Sequence, residues 1–234
     1  MKFLVLVPVW KRYNVLELFA NGLEALKKKG YALEVLAVGS CVEDSVVCRE
    51  LEFEYYVNHR NILGEKLNVA LKEAKKIDFD AMLMLGSDDT LNSEVLDFYI
   101  ESFNNGYKFV GFLDCYFYDL EKRNMIKWKG YRGERQGEPI GAWRCFKREL
   151  IEELNWELWG NQHHSIDYTM WEKIKKRTDI LKTFLFDDMF IGDLKTSENV
   201  TKFRKFDNSV IVNPLEGLNL LETNFKNKIL NYGK

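Results

Sequence analysis

The chain has 234 residues, 46% hydrophobic and 14% aromatic, and its 34 basic and 36 acidic residues leave a formal net charge of −2. That apolar content excludes an intrinsically disordered chain and suffices for one sizeable core. The near balance of charge excludes a global attraction to nucleic acid but leaves room for a local basic patch. No window approaches the ~18 apolar residues of a membrane span. Cys41, Cys48, Cys115 and Cys145 show no paired zinc spacing, so free thiols in a reducing, cytoplasmic setting are expected.

The opening "MKFLVLVPVWKR" puts a lysine before an apolar run, as a targeting signal does. The run is short, contains Pro8 and lacks a small-residue cleavage pattern, so it reads as a core strand over 3–9. Val15, Leu18, Phe19, Leu23 and Leu26 recur at helical spacing, with Asn14 as the expected cap, lysines 27–29 at the negative end and Gly30 at the exit. A second strand in "ALEVLAVGS" completes a βαβ opening, which requires a parallel pair and a right-handed crossover. A short strand in "FEYYVNH" and a helix through "GEKLNVALKEAKK" lead to "AMLMLGSDDTL", read as a buried strand ending at Leu85. In an open, mostly parallel α/β sheet, ligands sit beyond the carboxyl ends of the strands. Residues 9–12, 39–41 and 86–89 all fall on that rim.

After a helix over 93–103, the aromatic stretch "NNGYKFVGFLDCYFYDL" reads as a strand, with "MIKWKGY" as its partner. "RGERQGEPIG" is a glycine-rich, charged loop of the kind that positions ligands. "WRCFKRELIEEL" returns to strand and helix, "SIDYTMWEKIKK" starts another helix, and "LKTFLFDDMFIGDL" holds a late strand or a pair. A mobile polar flap is expected over 195–213 and a docked amphipathic helix over 214–234. The expected organisation is one domain over 1–213, with a first part of about 1–92 and a second of about 107–213.

Ser87-Asp88-Asp89 at the mouth of an apolar strand admits two explanations. Asp89, or Asn92, caps the following helix. Alternatively the carboxylates, small hard oxygen ligands, hold Mg²⁺ or Mn²⁺ with its phosphates, Gly86 permitting close approach.

The ordered set "VLVPVWKR", "LEVLAVGS", "NHRNILGEKLNVALKEAKKIDFDAMLMLGSDDTL", "GAWRCFKRELIEEL" and "IDYTMWEKIKK" resembles the inverting nucleotide-sugar glycosyltransferases of family 2, over roughly residues 3–175. Compact chains of this kind are also similar to transferases found in viral genomes. The resemblance implies a GT-A-like, Rossmann-type α/β fold. It implies a Mn²⁺- or Mg²⁺-dependent transfer of sugar from a nucleoside-diphosphate sugar, a UDP-sugar being favoured. The acceptor would be a hydroxyl of a glycan or another molecule, a modified DNA base being disfavoured. On the matching positions, Val7, Pro8, Val9 and Arg12 lie beside the nucleotide, as does Gly39, and Asn61, Gly64 and Asn68 lead into and lie on a helix near it. Ser87, Asp88 and Asp89 hold the metal diphosphate, Asp88 and Asp89 as metal ligands. Lys66 and Lys195 approach the nucleotide and its phosphates, and Asp167 is the general base. The chain departs from the pattern at Gly39-Ser40, Gly86 and Ile166, where the family usually has acids. Glu43 or Asp44 would replace the first only if the loop folds back.

Other residues invite chemistry. His59, His163 and His164 are candidate ligands or proton carriers, and Trp143 or Trp159, among the late tryptophans that include Trp156 and Trp171, would line an acceptor site. Glu134, Arg135, Gln136 and Glu138 would reach the acceptor, and the basic run 122–129 with Arg132 is the patch a DNA acceptor would use, which the overall charge disfavours. Asp187-Asp188 is a rival metal site, and Asp193 shares the "GDLK" segment with Lys195. A nucleotidyltransferase would show a glycine-rich phosphate loop after the first strand, and "PVWKRYN" has no glycine. A binding module derived from a transferase fold is the non-enzymatic alternative.

Overall fold

The computed structural model describes residues 1–59, 62–199, 203 and 208–233. The first half alternates strand and helix: β1 (Lys2–Pro8), α1 (Tyr13–Lys28), β2 (Ala32–Gly39), α2 (Val42–Glu50), β3 (Tyr55–Asn58), α3 (Leu63–Glu73), β4 (Ala81–Met84), β5 (Asp89–Leu91) and α4 (Ser93–Asn104). The second half is richer in strands: β6 (Phe109–Phe112), β7 (Cys115–Asp119), β8 (Met125–Trp128), β9 (Arg144–Lys147), α5 (Arg148–Glu153), α6 (Ile166–Ile174), β10 (Ile180–Thr183), β11 (Ile191–Lys195), β12 (Ser209–Val212), α7 (Pro214–Leu218) and α8 (Thr223–Leu230).

A seven-stranded sheet has the order β10-β6-β9-β4-β1-β2-β3. Its strands run parallel except β9, which is antiparallel to β4 and β6. Alternation along β1 explains its unbroken apolar sequence. Phe3, Val5 and Val7 pack on one face with Leu16, Phe19 and Leu23 of α1, while Leu4 and Leu6 pack on the other with Leu67 and Leu71 of α3. Both faces are covered, as a parallel sheet demands.

A five-stranded sheet, ordered β12-β8-β7-β11-β5, joins the first through residues 85–88 between β4 and β5. Asp89 therefore lies in a strand and caps no helix. Asn92, the N-cap of α4, turns its side chain to the backbone of Phe190 and Asp188.

Other expectations also change. The aromatic stretch divides at Leu113-Asp114 into β6 and β7, one in each sheet, whereas the late segment, expected as one strand or a pair, is the pair β10 and β11. Helix α1 begins at Tyr13 behind Arg12, which sits in the left-handed region (φ 53°), rather than behind Asn14. Helix α2 was not anticipated. The segment read as an irregular flap includes Lys195 at the end of β11 and all of β12; its residues 200–202 and 204–207 lie outside the described residues, as does Asn61. The tail forms two short helices, of which α8 packs Phe225 and Ile229 against Val15 and Leu18 of α1. Among the described residues no helix is long and apolar enough to cross a membrane.

Candidate active site

Beyond β4 the chain turns through Gly86, Ser87 and Asp88 into β5, and the Gly86 N–H donates to Asp89 Oδ2. Strand β11 runs antiparallel to β5 with Asp193 directly opposite Asp89, and the Leu194 N–H donates to the Asp88 carbonyl at 2.8 Å. Two segments about a hundred residues apart thus bring Asp88, Asp89 and Asp193 together, with a carboxylate oxygen of each within 4.8 Å of the others.

Two cations face these three acids. Arg12 Nη1 donates to Asp88 Oδ2 at 2.8 Å and its Nη2 to Ser87 Oγ at 3.1 Å. Lys195 forms an ion pair with Asp193, and the Asn199 side-chain amide donates to Asp88. One negative charge is left without a counter-charge. Burial, followed by repulsion from Asp193 and Asp88, holds the Asp89 carboxyl well above its ordinary range. Burial and then Asp88, working against Lys195, push Asp193 up to about 7. Burial draws Lys195 down, but Asp193 and Asp88 more than offset it, so the ammonium is held above its usual range. Asp193 Oδ1 is buried with no hydrogen-bond partner among the described residues. An all-carboxylate group with an unengaged buried oxygen and surplus negative charge suits a hard divalent cation such as Mg²⁺ or Mn²⁺.

The carboxylates open into a cavity of about 600 Å³, which Asp167 also lines. Asp167 lies in the first turn of α6 behind Ser165, whose φ is 56°. Buried Arg144 ties this turn to the preceding glycine-containing loop, donating to the carbonyls of Asp167 and Ile140 at 2.8 Å. Gly141 presses on the Asp167 carboxylate: a Cβ there would lie 2.2 Å from Oδ2. Trp143 is in the left-handed region at φ 56°, uncommon for a bulky residue, and is held there by Tyr99 Oη donating to its carbonyl at 2.6 Å and its own Nε1 donating to the Thr90 carbonyl at 3.0 Å.

Of the residues singled out in the sequence, Pro8, Arg12, Ser87, Asp88, Asp89, Lys195 and Asp167 line this one cavity, with Trp143. Val9, Gly39 and Lys66 do not. Buried Lys66 donates to the Val9 carbonyl and to Ser40 Oγ, both at 2.9 Å, and burial lowers its pKa. A side chain at Gly39 would meet Tyr56 Oη at 2.2 Å. The loop after β2 does fold back, but it buries Asp44 completely: its carboxylate accepts from the N–H groups of Ser40 (2.8 Å), Lys11 and Cys41 (both 3.3 Å) and from the Tyr13 hydroxyl (3.0 Å). Asp44 thus fastens the β2 end to the β1–α1 turn. Burial acts to raise its pKa, but these donors prevail and lower it.

Trp159 packs in the core with Trp156 and Trp171, and its carbonyl accepts from Asn68. His163 and His164 are exposed, and Asp187 and Asp188 sit on an exposed turn outside the acidic group. Glu138 is engaged by Arg135 at 2.6 and 2.7 Å and by Arg144 at 3.3 Å. Sequence reasoning gave Asp193 no ligand role and passed over Asn199, Trp128 and Tyr131, all of which line the cavity. The one available sign was Asp193 alternating with apolar neighbours in "IGDLK".

No protein-family model matches the chain, and no curated protein does. Solved structures do. TarS 1–349 of S. aureus in complex with UDP-GlcNAc aligns with a TM-score of 0.59 and 16% identity, covering 98% of this chain and 70% of that one. Glucosyl-3-phosphoglycerate synthase of Mycobacterium tuberculosis, in complex with Mn²⁺, UDP and glucosyl-3-phosphoglycerate, aligns at 0.51 and 13% identity over 79% and 70%. The mannosyltransferase PcManGT of Pyrobaculum calidifontis, in complex with GDP-Man and Mn²⁺, aligns at 0.52 and 14% identity over 83% and 56%. The fold is that of the GT-A glycosyltransferases.

Proposed function

We propose that this chain is a metal-dependent, inverting glycosyltransferase that moves a sugar from a nucleoside-diphosphate sugar, a UDP-sugar first among the candidates, to an acceptor hydroxyl. The observation that carries the reading is the convergence of Asp88, Asp89 and Asp193 at the junction of the two sheets, in the cavity that Asp167 also lines. The neighbours' complexes with UDP-GlcNAc, GDP-Man, UDP and Mn²⁺ support the same class of donor and metal.

Asp88, Asp89 and Asp193 would hold Mn²⁺ or Mg²⁺, which when bound offsets the charge developing on a departing diphosphate. Arg12 and Lys195 are the flanking cations, able to exchange part of their contact with Asp88 and Asp193 for phosphate oxygens and so stabilise the leaving group. Asp167 accepts the proton of the attacking hydroxyl, within about 2.6–3.2 Å in the productive complex. Attack on the face opposite the diphosphate inverts the anomeric carbon without a covalent enzyme intermediate.

The test is a screen of UDP, GDP and dTDP sugars with Mn²⁺ or Mg²⁺, read as nucleotide release and as the anomeric configuration of the product by NMR. Turnover with one donor, abolished by Asp88→Ala, is the expected result. Asp167→Asn should keep nucleotide binding and lose transfer. Absence of both binding and turnover with every donor would overturn the reading.

A further inference from the structure

Resting on that transferase reading, we propose that the acceptor is anionic, its phosphate or carboxylate group bound in a second groove beside the catalytic cavity by Lys129, Arg132 and Lys182. The groove has a volume of about 770 Å³ and shares Tyr131 as a wall with the cavity that holds Asp167. An acceptor seated in it would extend past Tyr131 into the cavity that Asp167 lines.

The three cations are exposed, and the charged groups of Arg132 and Lys182 are positioned by neutral partners. Arg132 Nη2 donates to Asn208 Oδ1 at 2.9 Å, and Lys182 Nζ donates to the Gly137 carbonyl at 2.9 Å. Asn208 in turn donates to the carbonyls of Lys129 and Gly130 at 3.0 and 3.2 Å, which fixes the turn carrying Lys129 and Arg132. Among the described residues no carboxylate pairs with any of the three. The one acid in the groove wall is buried Glu138, already neutralised by Arg135 and Arg144. Asp114, at the neighbouring strand end, is engaged by Lys127 at 3.1 Å and by the Leu185 N–H at 2.7 Å.

Among the described residues the groove therefore keeps three positive charges, on a chain whose net charge is −2. Like charges held together without counter-charge repel one another, and a concave wall focuses their field on whatever enters. Exposed Phe184 on the rim adds an apolar surface next to the cations. That combination recognises an anion carried on a small carbon skeleton; the overall charge and the confinement of the cations to one groove do not suit a nucleic acid duplex, whose backbone needs an extended basic track.

The experiment uses the full chain saturated with UDP and Mg²⁺, so that the diphosphate position is filled, and measures binding of glycerol 3-phosphate, glycerate and glycerol by ligand-observed NMR. Either or both of the two anions should bind at least tenfold more tightly than glycerol, and which one does so identifies phosphate or carboxylate as the group. The triple variant Lys129→Gln, Arg132→Gln, Lys182→Met should abolish that difference while leaving the UDP affinity unchanged, since all three positions are exposed and outside the catalytic cavity. Equal binding of all three probes, or an anion preference that survives the triple variant, overturns the subsite while the donor reading stands. Failure of UDP itself to bind overturns both.

Discussion

Gly141→Ala isolates the proposed base from the metal end of the site. The three heavy atoms nearest a Cβ at position 141 all belong to Asp167: Oδ2 at 2.2 Å, Cγ at 2.3 Å and Oδ1 at 2.6 Å. Gly141 is outside the left-handed region, so alanine brings no backbone penalty of its own. A methyl group needs the carboxylate to withdraw by roughly 1 Å, and a displacement of that size in a catalytic group lowers kcat about 100-fold, or about 2.7 kcal/mol of transition-state stabilisation. The UDP–Mn²⁺ dissociation constant should stay within about twofold of wild type, because the atoms nearest the new methyl all belong to Asp167. Steady-state transfer and nucleotide titration on the same preparation check both halves. Adding Asp167→Asn to Gly141→Ala should lower kcat by much less than it does alone. Wild-type turnover by Gly141→Ala, or equal losses of turnover and nucleotide affinity, would refute the assignment of Asp167.

Asp193→Asn removes one of three clustered carboxylates and should weaken Mn²⁺ binding roughly tenfold or more, read by the free-ion EPR signal; unchanged affinity would remove Asp193 from the ligand set. Asp44→Asn should cost about 2 kcal/mol at neutral pH, a loss typical of hydrogen bonds to a charged group. Because the folded-state pKa of Asp44 is depressed, its contribution is fully present above the unfolded value near pH ~4 and lost as pH falls through the lower folded value. The melting-temperature gap between variant and wild type should therefore close in acid, and a gap independent of pH would count against the assigned cause. Phe225→Ala empties the contact that caps Gly22 of α1, at about 3–5 kcal/mol. That predicts a Tm roughly 10 °C lower by thermal melt, with UDP–Mn²⁺ affinity retained at low temperature.

The sequence was most legible where structure is local. The apolar run of β1, the periodic face of α1 and the apolar entry to Ser87-Asp88-Asp89 each carry their own signal, and each takes the expected form. The fold back of the loop after β2 was less so: α2 has little amphipathic character, being held by Asp44 and Cys41 at its start. The break between β6 and β7 was hidden because both strands are buried and aromatic, so no change of period marks the boundary. Lys66 looked like a phosphate contact on charge alone, and only the packing of α3 shows its ammonium tied to Val9 and Ser40. Asp193 was hardest to see, since its role depends on the β5–β11 register, a pairing set by long-range topology.

The turn that enters this register is crowded at Gly86 by the carboxylates themselves. A Cβ at Gly86 would stand 2.9 Å from both Asp88 Oδ1 and Asp89 Oδ2, closer than real Cβ contacts allow, so a side chain there would displace the carboxylates. Asp193 reaches the cluster from the opposite strand, where a β-ladder partner of Asp89 can present its carboxylate without crowding the turn. The same strand carries Lys195, two residues on and on the same side by the period of two, so a cation and the third carboxylate enter the site on one rigid element. Shifting β11 by a single residue would therefore turn both Asp193 and Lys195 out of the cavity.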